Sequence, residues 1–197
     1  MNKKPRLAVD MDEVMADIIA RFREWYSRDF QAELSAEALH GKHFADAVAP
    51  EHQPAMRAYP NAPGFFKDLP LMAGSQQVMR ELVRHYEVFI VTAAMEFPNC
   101  FSDKFEWLQR HFPFLSWRHY VFCGDKSIIR ADYLIDDNAY NFDGFSGEGL
   151  LFDAPHNAHE TRYRRARGWQ EVATLLLPDT VRLGHHSPGI PPTLSSR

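Results

Sequence analysis

Apolar positions fall along this chain in short continuous runs, separated by longer stretches with a three- and four-residue period. Leu7-Ala8-Val9 is such a run, ends in Asp10-Met11-Asp12, and reads as a strand buried on both faces. Behind it Ile18, Phe22 and Trp25 or Tyr26 recur at helical spacing, with Arg21, Arg23 and Glu24 on the opposite face. Regular alternation returns at Gly74-Ser75, where Ser75 is suited to cap a helix whose apolar face is Val78, Met79, Leu82, Val83 and Tyr86. Val88-Phe89-Ile90-Val91 predicts a second buried strand, ending at Thr92. A helix beginning near Ser102 turns Phe105, Leu108 and Phe112 inward and stops before Pro113. Tyr120 to Cys123 is a third strand closed by Gly124-Asp125-Lys126, and Tyr133-Leu134-Ile135 a fourth closed by Asp136-Asp137. Leu150-Leu151-Phe152 is a fifth, and Trp169, Val172, Leu175 and Leu176 form the apolar side of a last helix.

Strands alternating with helices predict an α/β fold: a Rossmann-like parallel sheet with right-handed crossovers, flanked by helices. From about Gln31 to Pro70, Gly41, Pro50, Pro54, Pro60, Pro63, Gly64 and Pro70 break the pattern into short helical pieces. The expected division is a core of residues 1–16 and 74–177, a small helical insertion of 17–73 after the first strand, and a tail of 178–197. The tail has prolines and serines but no apolar period, and is predicted to be disordered.

Composition narrows the partners. With 197 residues, 45% of them hydrophobic and 24% charged, the chain has the composition of an ordinary globular protein and the length of one generous domain or of one domain carrying a modest insertion. Twenty-two Lys and Arg against 26 Asp and Glu give a net charge of −4, which excludes a protein that grips a nucleic-acid polymer by bulk electrostatics. A nucleotide-sized anion would need a local positive site. Two cysteines, Cys100 and Cys123, make neither a disulfide framework nor a C-x-x-C pair, so a reducing, cytoplasmic setting is expected. The apolar run behind the basic segment Met1 to Arg6 stops after three residues, too short for a signal core or a membrane span. No motif carries dimerisation, although a homodimer is compatible with the chain.

In an open parallel sheet ligands bind beyond the carboxyl ends of the strands, so the residues just after each strand are the ones to weigh. Consecutive strand ends carry Asp10 and Asp12, then Thr92, then Lys126, then Asp136 and Asp137. Each piece alone is commonplace: D-x-D occurs in many loops, a Thr after a strand is usually a turn residue, and Asp-Asp-Asn can cap a helix. Their joint occurrence in this order is not. Four neighbouring carboxylates raise one another's pKa and stay ionised only beside a compensating cation. Oxygen-only ligands point to Mg²⁺.

These residues resemble a known family. Val9-Asp10-Met11-Asp12-Glu13-Val14 resembles the first motif of the haloacid dehalogenase superfamily of phosphohydrolases, and Val91-Thr92, Asp125-Lys126 and Leu134-Ile135-Asp136-Asp137 resemble its second, third and fourth in order. More narrowly the chain resembles the 5'(3')-deoxyribonucleotidases, through the first motif continued to Asp17, through Phe65-Phe66-Lys67-Asp68-Leu69-Pro70-Leu71, and through Pro155-His156-Asn157-Ala158-His159. The resemblance spans most of residues 6–176. It implies a haloacid dehalogenase-like core with a helical cap and a Mg²⁺-dependent phosphomonoesterase acting on nucleoside monophosphates, chiefly pyrimidine deoxyribonucleotides, through an aspartyl phosphate. Asp10 would be the nucleophile and Asp12 the acid and then the base. Mg²⁺ would rest on the Asp10 carboxylate, the Asp12 carbonyl and one of Asp136 or Asp137, while Thr92 and Lys126 hold phosphate oxygens.

The chain also departs from the family pattern. Ala93-Ala94 follows the second-motif Thr where relatives often have a polar residue, so a backbone N–H must serve there; Glu13 stands where many relatives have Gly. Phe44, Tyr59, Phe65 and Phe66 of the insertion are candidates to face a nucleobase, against the plainer role of packing the insertion's own core. His156 and His159 lack Cys or Glu partners and are read as structural or surface groups, and Arg162, Arg164, Arg165 and Arg167 as a solvated face. Competing functions are a phosphatase for sugar phosphates or another small ester, a phospho-receiver domain, and a silent nucleotide binder. A receiver places its Lys after the last acid, whereas Lys126 precedes Asp136, and intact Asp10 and Asp12 speak against silence.

Overall fold

The computed structural model describes residues 3–179. Strands β1 (Arg6–Val9), β2 (Glu87–Thr92), β3 (Tyr120–Phe122), β4 (Tyr133–Asp136), β5 (Glu148–Phe152) and β6 (Arg164–Ala166) form one sheet in the order β3-β2-β1-β4-β5-β6, with every pair parallel. The chain builds outward from β1 to β3, then returns to the other side of β1 for β4. That reversal opens a crevice beyond the carboxyl ends of β1 and β4, where ligands of such sheets bind. The register pairs Val9 with Ile135, and the Asp10 N–H donates to the Ile135 carbonyl at 2.9 Å, so Asp10 and Asp136 follow side by side.

Helices α1 (Ile18–Phe30), α2 (Ala36–Leu39), α3 (Phe44–Ala47) and α4 (Gln53–Ala58) all lie in the insertion after β1. The insertion leaves and returns through a paired neck: Asp17 N donates to Pro70 O and Met72 N to Met15 O, both at 2.8 Å. Two buried indoles pin that neck to the core, the Trp169 Nε1–H to Val14 O at 2.7 Å and the Trp107 Nε1–H to Leu69 O at 2.8 Å. Helices α5 (Ser75–His85), α6 (Phe101–His111) and α7 (Trp169–Leu176) cover the sheet, and Leu7, Val9, Ile90, Ile135 and Leu150 fill the core between.

Four expectations need correction. Arg21 is buried, not on a solvated face: its guanidinium donates to the carbonyls of Gly64, Phe65, Lys67 and Asp68, tying α1 to the end of the insertion. Phe105 is 38% exposed, because α6 turns Lys104, Trp107 and Leu108 inward instead. Helix α5 is capped by Gly74, at φ +83°, and Ser75 opens its first turn. In the arginine run Arg162, Arg164 and Arg167 are solvated as expected but Arg165 is not, and the run holds an unforeseen strand, β6, at the sheet edge, where charged residues blunt unwanted pairing. Ala166 there is buried, and Arg165 reaches back to Asp153, Asn157 and Glu160. The predicted disorder of the tail concerns residues that, from 180 on, lie outside those described.

Candidate active site

At the end of β1 the chain turns tightly, with Met15 N and Ala16 N both donating to Met11 O and Glu13 N to Ala16 O. Glu13 occupies the left-handed region at φ +57°, a conformation that costs a side-chain-bearing residue more than glycine. Its buried carboxylate accepts the Ile19 N–H at 2.9 Å at the start of α1, and burial pushes its pKa up to about 8. The turn sends Asp10 and Asp12 to different partners.

Asp10 Oδ1 accepts from Lys126 Nζ at 2.6 Å, and the same ammonium donates to Asp136 Oδ2 at 2.6 Å. Lys126 begins a short 3₁₀ turn capped by Asp125, which fixes where its side chain starts. Asp136 Oδ1 takes the Asn138 N–H and the Asn141 amide, each at 2.9 Å. The Asp137 carboxylate has weaker neighbours: the Asn138 amide at 3.4 Å and His156 Nε2 at 3.6 Å. Carboxylate oxygens of Asp10, Asp136 and Asp137 lie within 4.8 Å of one another, and all three residues are buried. Burial drives the Asp10 pKa upward, Lys126 opposes it, and Asp136 and Asp12 add to the rise; Asp137 is raised by burial, then by Asp10 and Asp136. Burial works against the charge on Lys126, but the two carboxylates more than offset it and its pKa is raised. One ammonium among three acids leaves a negative excess. A hard-oxygen cluster of that charge fits a divalent cation.

Asp12 points elsewhere. Its Oδ2 accepts from Lys104 Nζ at 2.5 Å, and Lys104 also donates to Thr92 Oγ1 at 2.9 Å while lying 4.6 Å from the centre of the Phe66 ring. The Lys104 side chain is 2% exposed, that of Asp12 28%. Lys104 was not anticipated as a site residue. Its signal was available, since it stands three and four residues before Trp107 and Leu108, on the buried face of α6.

A cleft of about 430 Å³ opens over these groups. Asp10, Asp12, Lys126 and Asp137 form its floor side together with Ala93 and Asn138, and Phe22, His43 and Phe44 of the insertion face them, with Phe97, Tyr140 and His156 completing the wall. Of the candidate aromatics, Phe44 reaches the cleft. Tyr59, Phe65 and Phe66 do not: Phe65 is buried among the rings of the insertion, Phe66 is buried between Phe65 and the core residues Phe97 and Lys104, and the Tyr59 hydroxyl donates to Asp29 at 2.7 Å. Tyr59 and Phe65 serve the insertion's own core, and Phe66 seats the insertion on the Lys104 side of the site. Thr92 lies behind the wall on Lys104. His159 is at the surface against His40, whereas His156 belongs to the wall. Among the described residues no helix is long and apolar enough to cross a membrane.

The sheet order, the paired acids at its switch point and the insertion after β1 define the haloacid dehalogenase-like fold. A haloacid dehalogenase-like hydrolase from Streptococcus pneumoniae superposes with a TM-score of 0.56 at 12% identity, over 89% of this chain and 99% of its own. A hydrolase of the same class from Bacillus subtilis, solved with magnesium bound, gives 0.55 at 14% identity, over 89% and 99%. Within that class, the 5' nucleotidase, deoxy (pyrimidine), cytosolic type C family matches residues 4–182, and the chain belongs to this family of phosphoric monoester hydrolases. A Staphylococcus epidermidis protein provisionally named a 5'(3')-deoxyribonucleotidase is 42% identical over 169 residues, 86% of this chain and 94% of its own. The 5'(3')-deoxyribonucleotidase of Bacillus subtilis is 35% identical over 177 residues, 88% and 99% respectively.

Proposed function

We propose that this enzyme is a Mg²⁺-dependent 5'(3')-deoxyribonucleotidase that hydrolyses nucleoside monophosphates, chiefly pyrimidine deoxyribonucleotides, through an aspartyl phosphate. The observation that carries this reading is the division of labour between the two acids of Asp10-Met11-Asp12. Asp10 sits against Lys126 in the carboxylate cluster, whereas Asp12 stands apart on Lys104 at the cleft. A carboxylate held ionised beside a cation can attack phosphorus, and a carboxyl outside the cluster can move a proton.

In the first half-reaction Asp10 forms a bond to phosphorus as the ester P–O bond breaks, and Asp12 gives its proton to the departing nucleoside oxygen. In the second, Asp12 takes a proton from water as that water attacks phosphorus, releasing inorganic phosphate and restoring the Asp10 carboxylate. Lys126 and the Ala93 backbone N–H offset charge on the phosphoryl oxygens. Lys104 and Thr92 hold the side of the site where Asp12 works. Asp10, the Asp12 carbonyl and the Asp136-Asp137 pair would hold Mg²⁺, which supplies charge neutralisation to nucleophile and phosphate alike. We assign residues 17–73 as a cap over the cleft, with Phe44 presented to the base, and place the enzyme in the cytoplasm. Every group named comes from one chain, so a homodimer is not required.

Phosphate release from deoxy- and ribonucleoside monophosphates and sugar phosphates, with Mg²⁺ and with EDTA, tests the reading. Release that prefers dUMP or dTMP and stops with EDTA is expected. A sugar phosphate as the best substrate would leave the chemistry standing and overturn the substrate assignment.

A further inference from the structure

Pro155-His156-Asn157-Ala158-His159 has no task in the chemistry above, yet the structure places it against both the carboxylate cluster and the cap. It lies in the connection from β5 to β6. On the core side, the main-chain carbonyl of Asp137 accepts two hydrogen bonds from it, one from Asn157 Nδ2 at 2.7 Å and one from His156 Nε2 at 3.2 Å. Asn157 is itself held at both ends of its amide. Its Nδ2 also donates to Phe152 O at 2.8 Å, and its Oδ1 accepts from Ala154 N at 3.3 Å and from Arg165 at 2.6 Å. Arg165 further binds the carbonyls of Asn157 and Glu160, at 2.8 and 2.7 Å, so the loop is fastened to β6.

On the other side the same loop receives the cap. Gly41 N donates to Pro155 O at 2.8 Å. The His43 ring stacks on His156 with centroids 4.4 Å apart and planes 15° from parallel, and His40 meets His159 edge-on at 4.9 Å. A Cβ on Gly41, at φ +72°, would come within 2.5 Å of the His159 ring, so glycine permits this close approach. His156 therefore touches the cap through its ring face and Asp137 through its Nε2–H.

We propose that His156 is a positioning residue that couples seating of the cap to the geometry of Asp137, so that cap closure and divalent-metal affinity reinforce each other. The inference rests on the reading that Asp137, with Asp10 and Asp136, holds Mg²⁺. A carbonyl whose two lone pairs both accept donors fixes its peptide plane and with it the direction of the Asp137 side chain. Removing one donor lets the plane rock. Outer partners that orient metal ligands are worth 10- to 100-fold in metal affinity. Linkage makes the effect reciprocal: whatever factor the seated cap adds to metal affinity, the metal adds to cap seating.

The test is calorimetric titration of MgCl₂ alone into the full chain, without substrate, alongside far-UV circular dichroism and thermal melting in EDTA. His156→Phe keeps a ring for His43 and deletes the Nε2–H; it should melt like the wild type in EDTA and bind Mg²⁺ about 10-fold more weakly. His156→Gln keeps an amide donor and loses the ring; it should bind Mg²⁺ more tightly than His156→Phe. His43→Ala should weaken Mg²⁺ binding by a smaller factor in the wild-type background and have no effect in His156→Gln, because His43 then has no ring to stack on and its route to Asp137 through His156 is already gone. Unaltered affinity in His156→Phe, a loss of melting temperature without loss of affinity, or a His43→Ala effect that persists in His156→Gln would each refute the coupling. A wild-type chain that binds no Mg²⁺ would instead sink the metal-site reading and the coupling together.

Discussion

The carboxyl edge of the sheet and the interior of the insertion, residues 17–73, are both densely packed, and they are held by opposite kinds of interaction. At the sheet edge most buried charges have close polar partners, Lys126 with Asp10 and Asp136, Lys104 with Asp12, Asn138 and Asn141 with Asp136, while the Asp137 carboxylate has only the longer contacts to Asn138 and His156. Burying such groups is costly unless the pairing geometry is met, so residue identity there is tightly constrained. Inside the cap Phe22, Trp25, Phe44, Tyr59 and Phe65 contact one another through stacked and edge-on rings, and another apolar residue of similar size would serve at many of these positions. Arg21 is the exception that the insertion shares with the sheet edge, a buried cation whose terminal nitrogens donate to four carbonyls and whose Nε lies 2.8 Å from Glu24. Chemistry is fixed where charges are paired; shape is fixed where rings pack.

The contrast is broken most severely at Asp10. Asp10→Asn should lower kcat by at least about 10³-fold while the circular dichroism spectrum stays native, since a nucleophile is lost and the amide fills the same space. Wild-type turnover in that variant would remove Asp10 from the chemistry. Lys104→Met leaves Asp12 and Thr92 without their cation and should lower kcat by about 100-fold with a much smaller change in KM. Steady-state kinetics decide it, and a change confined to KM would make Lys104 a substrate-binding group only.

In the cap the sharpest expected loss is of stability. Arg21→Met strands four carbonyls and should cost about 3 kcal/mol in urea unfolding, with activity per folded molecule preserved. The smallest effects separate two phenylalanines. Phe44→Leu, in the cleft wall, should raise KM several-fold, about 1 kcal/mol of lost binding, whereas Phe65→Leu should cost about 1 kcal/mol of stability and leave KM alone. Equal KM values for the two variants would remove Phe44 from substrate contact.

Legibility followed the same division. Five strands were readable from their continuous apolar runs, and the first four of them end in chemistry-bearing residues, because a two-face-buried strand must be continuously apolar and its carboxyl end must face the crevice. Asp10, Asp12, Lys126, Asp136 and Asp137 were thereby placed on one edge before any coordinates. β6 was not readable, because an edge strand of arginines has the composition of a solvated loop. Lys104, next to Asp103 and Phe105, looks like a surface lysine unless the burial face of α6 is known, and the inward assignment of Phe105 followed from turning that face the wrong way.

Sequence alone determined the order of the five apolar strands and the helices between them, the acids, the lysine and the hydroxyl at the strand ends, and the presence of a helical insertion, since these depend on local period and on short-range chemistry. Tertiary structure decided which partner each acid takes, which aromatic reaches the cleft, that Arg21 and Lys104 are buried, and that the Pro155–His159 loop bridges cap and Asp137. Those outcomes depend on contacts between residues tens of positions apart, such as Asp12 with Lys104 or Asp137 with Asn157, and no periodicity along the chain encodes which distant side chain will fill a given space.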